Sequence, residues 1–327
     1  MACAILSPGI VLAGAPPWPL SHRPVFPVMT ERRLHRQGLL LAAAGALCWS
    51  VGGLLVRATE GAGTWQIVFW RAVFFAATIL AVLLWRYRGR IVEPFLAIGW
   101  NGIAAAGMLA TANTCFILAI SYTTIANVLV LQATGPLFAA LLGRAFLGEA
   151  VPFRLWIVIG ACTAGMLYMF ADALGSVSII GDALGLTIAL VMAGNIVATR
   201  HGRSVDMFPA VAIAGLIAVI ISFVVITFKA GSPLAIDVSG RDLAILVALG
   251  VFQLGIGFLL FTSATRLITA AEAMLLTLLE TITGPIWVWL AIGERPTDRA
   301  LVGGCIVLGA LAINAALALR AEPPDNR

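Results

Sequence analysis

The stretch AISYTTIANVLVLQATGPLFAALLGRAFLGEAVPFR, residues 119–154, decides the organisation of this chain. Its pattern returns 145 positions later in ATRLITAAEAMLLTLLETITGPIWVWLAIGERPTDR, residues 264–299. At that offset Ala119 matches Ala264, Thr124 matches Thr269, Ala126 matches Ala271 and Leu131 matches Leu276. Gly148 and Glu149 match Gly293 and Glu294, and Arg154 matches Arg299. Seven identities in 36 positions are weak alone. They gain weight because the order of apolar stretches around each copy also repeats, with about five membrane-length stretches per unit. A duplicated unit with an odd number of spans re-enters the membrane the other way up, as an inverted repeat.

Composition places the chain in lipid. It is 61% hydrophobic and 11% charged, a balance no ordinary soluble domain has. With about twenty apolar residues needed to cross a bilayer core as a helix, ten spans are expected. They cover roughly 38–57, 65–85, 97–119, 124–146, 153–170, 181–199, 208–228, 242–263, 270–292 and 301–319. The fold class is therefore an all-α integral membrane protein, ten transmembrane helices in two inverted five-helix repeats. The repeats run over 37–172 and 173–320, between an N-terminal tail, 1–36, and a C-terminal tail, 321–327. The first tail lacks the basic start and unbroken apolar core of a signal peptide. It reads as a disordered segment, or as an upstream extension of a chain that begins at Met29.

Charge reports topology rather than a nucleic-acid partner. With the N-terminus in the cytoplasm, fourteen basic residues, among them Arg86, Arg144, Arg200 and Arg266, fall on the inside. Five, Arg57, Lys229, Arg241, Arg295 and Arg299, fall outside. The excess orients both termini to the cytoplasm of a cell (inner) membrane. The five cysteines form no C-x-x-C pair, and His22, His35 and His201 all lie outside the spans. No metal site, disulfide framework or cofactor is expected from that pattern.

The quoted residues resemble the EamA-type branch of the drug/metabolite transporter superfamily over about 38–320. Trp49-Ser50 in span 1, Trp70-Arg71 in span 2, Gly135-Pro136 in span 4 and the closing Gly148-Glu149 carry the resemblance. The second repeat departs from it: Thr281 stands where Pro136 predicts a proline, Pro285 follows one turn later, and Ala214-Gly215 replace the second-span arginine. The resemblance implies a central cavity lined by spans 1, 3, 4, 6, 8 and 9. It also implies export more often than import, with amino acids, other metabolites or toxic compounds as cargo.

Chemistry must come from the few polar groups inside the membrane. A lone carboxylate at mid-helix costs about 2.5–3.5 kcal/mol on the insertion scale, so it faces protein or water. Glu280, ringed by Leu276, Leu279 and Ile282, is the sharpest case and aligns with Gly135 at the repeat offset. It reads as a proton or cation site beside the Gly135-Pro136 break, or as a paired glutamate holding spans 9 and 4 together. Glu272 lies on the same broad face, since residues 272, 276 and 280 advance about 40° per step. Its repeat mate is Asn127. The two suit opposite mouths of a pathway, or are interfacial residues reaching water. Arg71 could bind an anionic cargo or brace the bundle. Trp49, Ser50, Asn113, Gln132, Asn195 and Gln253 complete the candidate lining.

The reading that joins these features is a secondary transporter moving a small metabolite or drug-like compound by alternating access, with protons as candidate coupling ion. No nucleotide-binding G-x-x-x-x-G-K-[ST] loop occurs. The lipid bilayer is a partner by necessity, and a homodimer is a candidate assembly. The rivals are a non-transporting membrane sensor and an intramembrane lipid-modifying enzyme. The enzyme would need an in-membrane histidine, metal cluster or acidic pair that the spans lack.

Overall fold

A computed structural model describes residues 31–171, 178–230, 236–293 and 295–320. Residues 1–30, the C-terminal tail 321–327 and Glu294 lie outside the described residues. In chain order the helices are α1 (Glu31–Ser50), α2 (Gly52–Arg57), α3 (Thr64–Tyr87), α4 (Val92–Ala97), α5 (Gly99–Tyr122), α6 (Ile125–Gln132), α7 (Gly135–Leu147) and α8 (Phe153–Met169). They continue as α9 (Ile179–His201), α10 (Phe208–Ala230), α11 (Gly240–Ala248), α12 (Gly257–Ala264), α13 (Ala270–Ile292) and α14 (Asp298–Arg320). A π-helical segment, Leu249–Ile256, joins α11 to α12. No β-strand occurs among the described residues, as lipid requires of a chain that satisfies its own backbone. Helix starts at Glu31, so Arg33 and Arg36 of the basic lead-in are already helical.

Eight stretches are long and apolar enough to cross a membrane, counting α1 with α2, α6 with α7, and α11 with α12 as continuous paths. α5, of 24 residues, and α8, of 17, are the other long helices. Local signals in the repeat set several boundaries. Thr124 Oγ1 accepts the Asn127 N–H at 3.2 Å and caps α6, while its mate Thr269 accepts the Glu272 N–H at 3.3 Å and caps α13. Gly148 and Gly293, at φ 67° and 82°, end α7 and α13 in the left-handed region that glycine adopts without strain. The path through α6 and α7 breaks at Ala133-Thr134. The physical cause is Pro136, which has no N–H and whose ring opposes the carbonyl four residues back, at Gln132. Pro285, by contrast, sits inside α13 without ending it.

Packing exchanges partners between the halves. α1 packs on α12 and α13, whereas α9 packs on α5, α6 and α7. Likewise α10 lies on α5 and α3 on the π-helical segment, while α3 pairs with α10 and α8 with α14. Small residues permit these approaches where lipid offers no hydrophobic drive between helices. A Cβ on Gly303 of α14 would lie 2.5 Å from the Gly165 carbonyl of α8. Among the described residues the apolar interior forms one large cluster that includes Trp49, Phe75, Phe258 and Phe261, a second around Cys162, Met166, Leu275 and Val307, and a small third of Ala112, Ala119, Val128 and Ile188.

Candidate functional site

The packing leaves a cavity of about 190 Å³ between α1, α3, α5, α6, α9, the π-helical segment, α12 and α13. Its wall carries a repeat signature. Leu109 and Leu254, Asn113 and Phe258, Leu129 and Met274, and Gln132 and Thr277 all line it, each pair separated by the same 145 residues. Equivalent positions of the two halves therefore converge on one space.

Six of the twelve candidate residues line this cavity: Trp49, Arg71, Asn113, Gln132, Gln253 and Glu280. Trp49 is wedged between Phe258 and Phe261, with ring centroids 4.7 and 4.9 Å away. The π-helical segment brings in Gln253, whose Nε2 donates to the Trp49 carbonyl at 3.2 Å and ties the second half to α1. Asn113 donates to its own helix at the Leu109 carbonyl, 3.1 Å away. Arg71 and Glu280 are half-buried and are the only charged groups on the wall among the described residues. One is a permanent cation and the other a group that can take up a proton.

The other six lie elsewhere. Ser50 donates to the Leu47 carbonyl and accepts from Trp287 Nε1 at 2.8 Å, pinning α13 to α1. Asn195 Nδ2 reaches the Ala105 carbonyl at 2.8 Å and binds α9 to α5. Asn127 donates to Thr123 Oγ1 at 2.8 Å. Glu272 folds back to accept from the Thr269 N–H and hydroxyl, with His35 Nε2 3.5 Å away. Gly135 and Pro136 are buried, and the three atoms nearest to a Cβ on Gly135 all belong to Met274, not to Glu280. Sequence reasoning missed Thr277 and Phe258, although the repeat offset applied to Gln132 and Asn113 points to both.

Polar seams tie the helix ends around this cavity. Glu149 pairs with Arg200 Nε and accepts the Ala270 N–H at 3.0 Å, while Arg200 also donates to the Thr265 carbonyl at 2.9 Å. The Gly148-Glu149 motif thus ends its own helix and caps a distant one. Asp206 accepts from the Tyr87 hydroxyl at 2.9 Å and has Arg86 and Arg266 each 3.6 Å away. Burial draws the Arg266 guanidinium below its ordinary value, against the pull of Asp206, though it stays charged at any physiological pH. At another seam Asp242 accepts the Glu60 and Gly61 N–H groups, and Trp70 Nε1 donates to the Ile236 carbonyl at 2.8 Å. No group of three or more His, Cys, Asp or Glu residues fit to hold a metal occurs among the described residues.

Apolar helices, a duplicated packing scheme and a shared polar cavity define a multi-pass membrane transporter rather than an enzyme. The EamA-like transporter family matches residues 36–171 and again 179–316, and the chain belongs to that family. The pseudopaline exporter CntI of Pseudomonas aeruginosa strain UCBPP-PA14 is 26% identical over 286 residues, covering 84% of this chain and 94% of its own. Its counterpart in strain PAO1 is 25% identical over the same shares. A solved crystal structure superposes at TM-score 0.72 and 17% identity, over 88% of this chain and 99% of its own, a likeness of fold alone.

Proposed function

We propose that the chain is a proton-coupled secondary transporter of the cytoplasmic membrane that exports a small metabolite by alternating access. The observation that carries this reading is the cavity shared by equivalent positions of both repeats, with Glu280 as its one carboxylate among the described residues. The exchange of packing partners between halves supports ten spans in two inverted five-helix repeats, and the excess of inside arginines supports cytoplasmic termini. The two curated relatives are exporters by name, which supports the outward direction. A cavity near 190 Å³ is smaller than the roughly 300–1,000 Å³ typical of drug-sized ligand sites, which favours a small metabolite over a drug-like cargo. Coupling follows if Glu280 carries a proton in one direction and releases it when cargo binds.

The test is cargo screening in proteoliposomes with a pH-sensitive dye inside, comparing wild type with Glu280→Gln. Cargo movement accompanied by proton movement in wild type, with proton movement lost in the variant, is the expected result. Unchanged proton-linked flux in Glu280→Gln would show the glutamate to be structural and end the coupling claim.

A further inference from the structure

α3, α7 and α13 each end on a residue in the left-handed region. At α7 and α13 that residue is glycine, but α3 ends on Arg88 at φ 46°, the one non-glycine residue at positive φ among the described residues. A side chain there crowds its own backbone, a cost that glycine would avoid. Arg90 follows two residues later, its N–H bonded to the Tyr87 carbonyl at 3.0 Å. The side chains of Arg88 and Arg90 are exposed and have no partner among the described residues, whereas Arg86, Arg200 and Arg266 are held by carboxylates. The short helix α4 comes next and is two-faced. Pro94 is buried, and Ile91 and Phe95 pack on the large core cluster, while Val92 and Leu96, four apart on one face, are exposed. Trp85 before the turn and Trp100 after it are exposed as well.

We infer that the elbow between α3 and α5 binds an anionic phospholipid, its phosphate on Arg88 and Arg90 and its acyl chains along Val92, Leu96 and Trp100. α3 is long and apolar enough to cross a membrane, so the turn that ends it lies at the level of the headgroups. Tryptophan is favoured at that depth, and Trp85 and Trp100 bracket the turn. The charge balance there is positive: Arg86, Arg88, Arg90 and Arg266 stand against Asp206 and the exposed Glu93. A guanidinium grips a phosphate through parallel hydrogen bonds. A soluble phosphate would satisfy the arginines but leave the apolar face of α4 uncovered, while a zwitterionic lipid would cover that face without a net charge to match. An arginine kept at a position that suits glycine is a strained residue, and such strain persists where the side chain has a task.

The experiment follows the melting temperature of the full chain in mild detergent as phosphatidylglycerol, phosphatidylcholine with the same chains, or glycerol 3-phosphate is added. Phosphatidylglycerol should raise it saturably, at a half-saturating concentration on the order of tenfold below that of phosphatidylcholine, and glycerol 3-phosphate should not. Arg88→Gly separates the two roles of the residue. Without added lipid it should melt no lower than wild type, because the turn is relieved, yet it should lose most of the preference for phosphatidylglycerol. Arg90→Gln should lose part of that preference. Arg144→Gln combined with Arg203→Gln removes two exposed arginines elsewhere and should keep it. Equal response to the two lipids, or equal loss in the elbow variants and this control, overturns the assignment. So does an Arg88→Gly variant that melts lower and keeps the preference, since the arginine would then be a helix cap only. A second copy cross-linked through Trp100→Cys, with no lipid preference, would make the elbow a dimer contact and overturn it too.

Discussion

Replacing Glu149 by Gln tests whether the repeated Gly-Glu motif holds helices together across the bundle. The carboxylate accepts from Arg200 Nε with one oxygen and from the Ala270 N–H with the other. A glutamine presents one carbonyl and an amide that cannot accept, so one of these two bonds is lost, along with the charge. The side chains of Glu149 and Arg200 are only 13% and 11% exposed, so solvent screens the pair little. A hydrogen bond to a charged group contributes about 1.5–3 kcal/mol, which changes the unfolding equilibrium by about 13- to 160-fold at 1.36 kcal/mol per decade. The protein supplies its own control in Arg241–Glu60, a pair of the same chemistry at 63% and 71% exposure, where about 0.2–1 kcal/mol is expected. Double-mutant cycles on both pairs, read from equilibrium unfolding in mixed micelles, isolate the coupling terms. The Glu149–Arg200 coupling should exceed the Glu60–Arg241 coupling several-fold. Equal couplings would refute the claim that burial at this seam, rather than ion pairing as such, makes the motif matter.

The α8–α14 contact gives a second test: Gly303→Ala should be about 1–3 kcal/mol less stable than Gly309→Ala. Both changes add one methyl to the same helix, but a Cβ at 303 meets the Gly165 carbonyl and Met169, and one at 309 meets nothing. Indistinguishable melting of the two variants in detergent would rule out a tight small-residue interface there. Thr269→Val removes the cap of α13, which accepts from the Glu272 N–H and donates to Glu272 Oε2 at 2.9 Å. A loss of about 0.5–2 kcal/mol is expected, and Thr269→Ser should restore most of it; a Ser variant as unstable as Val would show that the hydroxyl is not what the helix start needs.

Much of the architecture was legible in local patterns. Apolar content put the chain in a membrane. The 145-residue offset pointed to Thr124 with Thr269 and Gly148 with Gly293 as matched positions, and these proved to be helix caps. The offset even relates the cavity residues in pairs, Gln132 with Thr277 and Asn113 with Phe258. Such signals reach the reader because they act within a few residues along one helix, through a hydroxyl on the third N–H or a glycine at positive φ.

What only the assembled bundle decided is which faces meet. Glu280 and Glu272 share a helix and nearly a face in projection, yet one opens onto the cavity and the other turns back to cap its own helix start. Ser50 and Asn195 look like lining in the sequence and act as cross-helix ties, while Glu149 reaches a helix start 121 residues away. The physical reason lies in the solvent. Spans bathed in lipid are apolar on every side, so no polar face marks the outside and no stripe marks the partner. Small-residue fit and a handful of interhelical hydrogen bonds choose the neighbours. Those depend on the placement of all the helices at once, and so α1 comes to pack in the second half of the chain and α9 in the first.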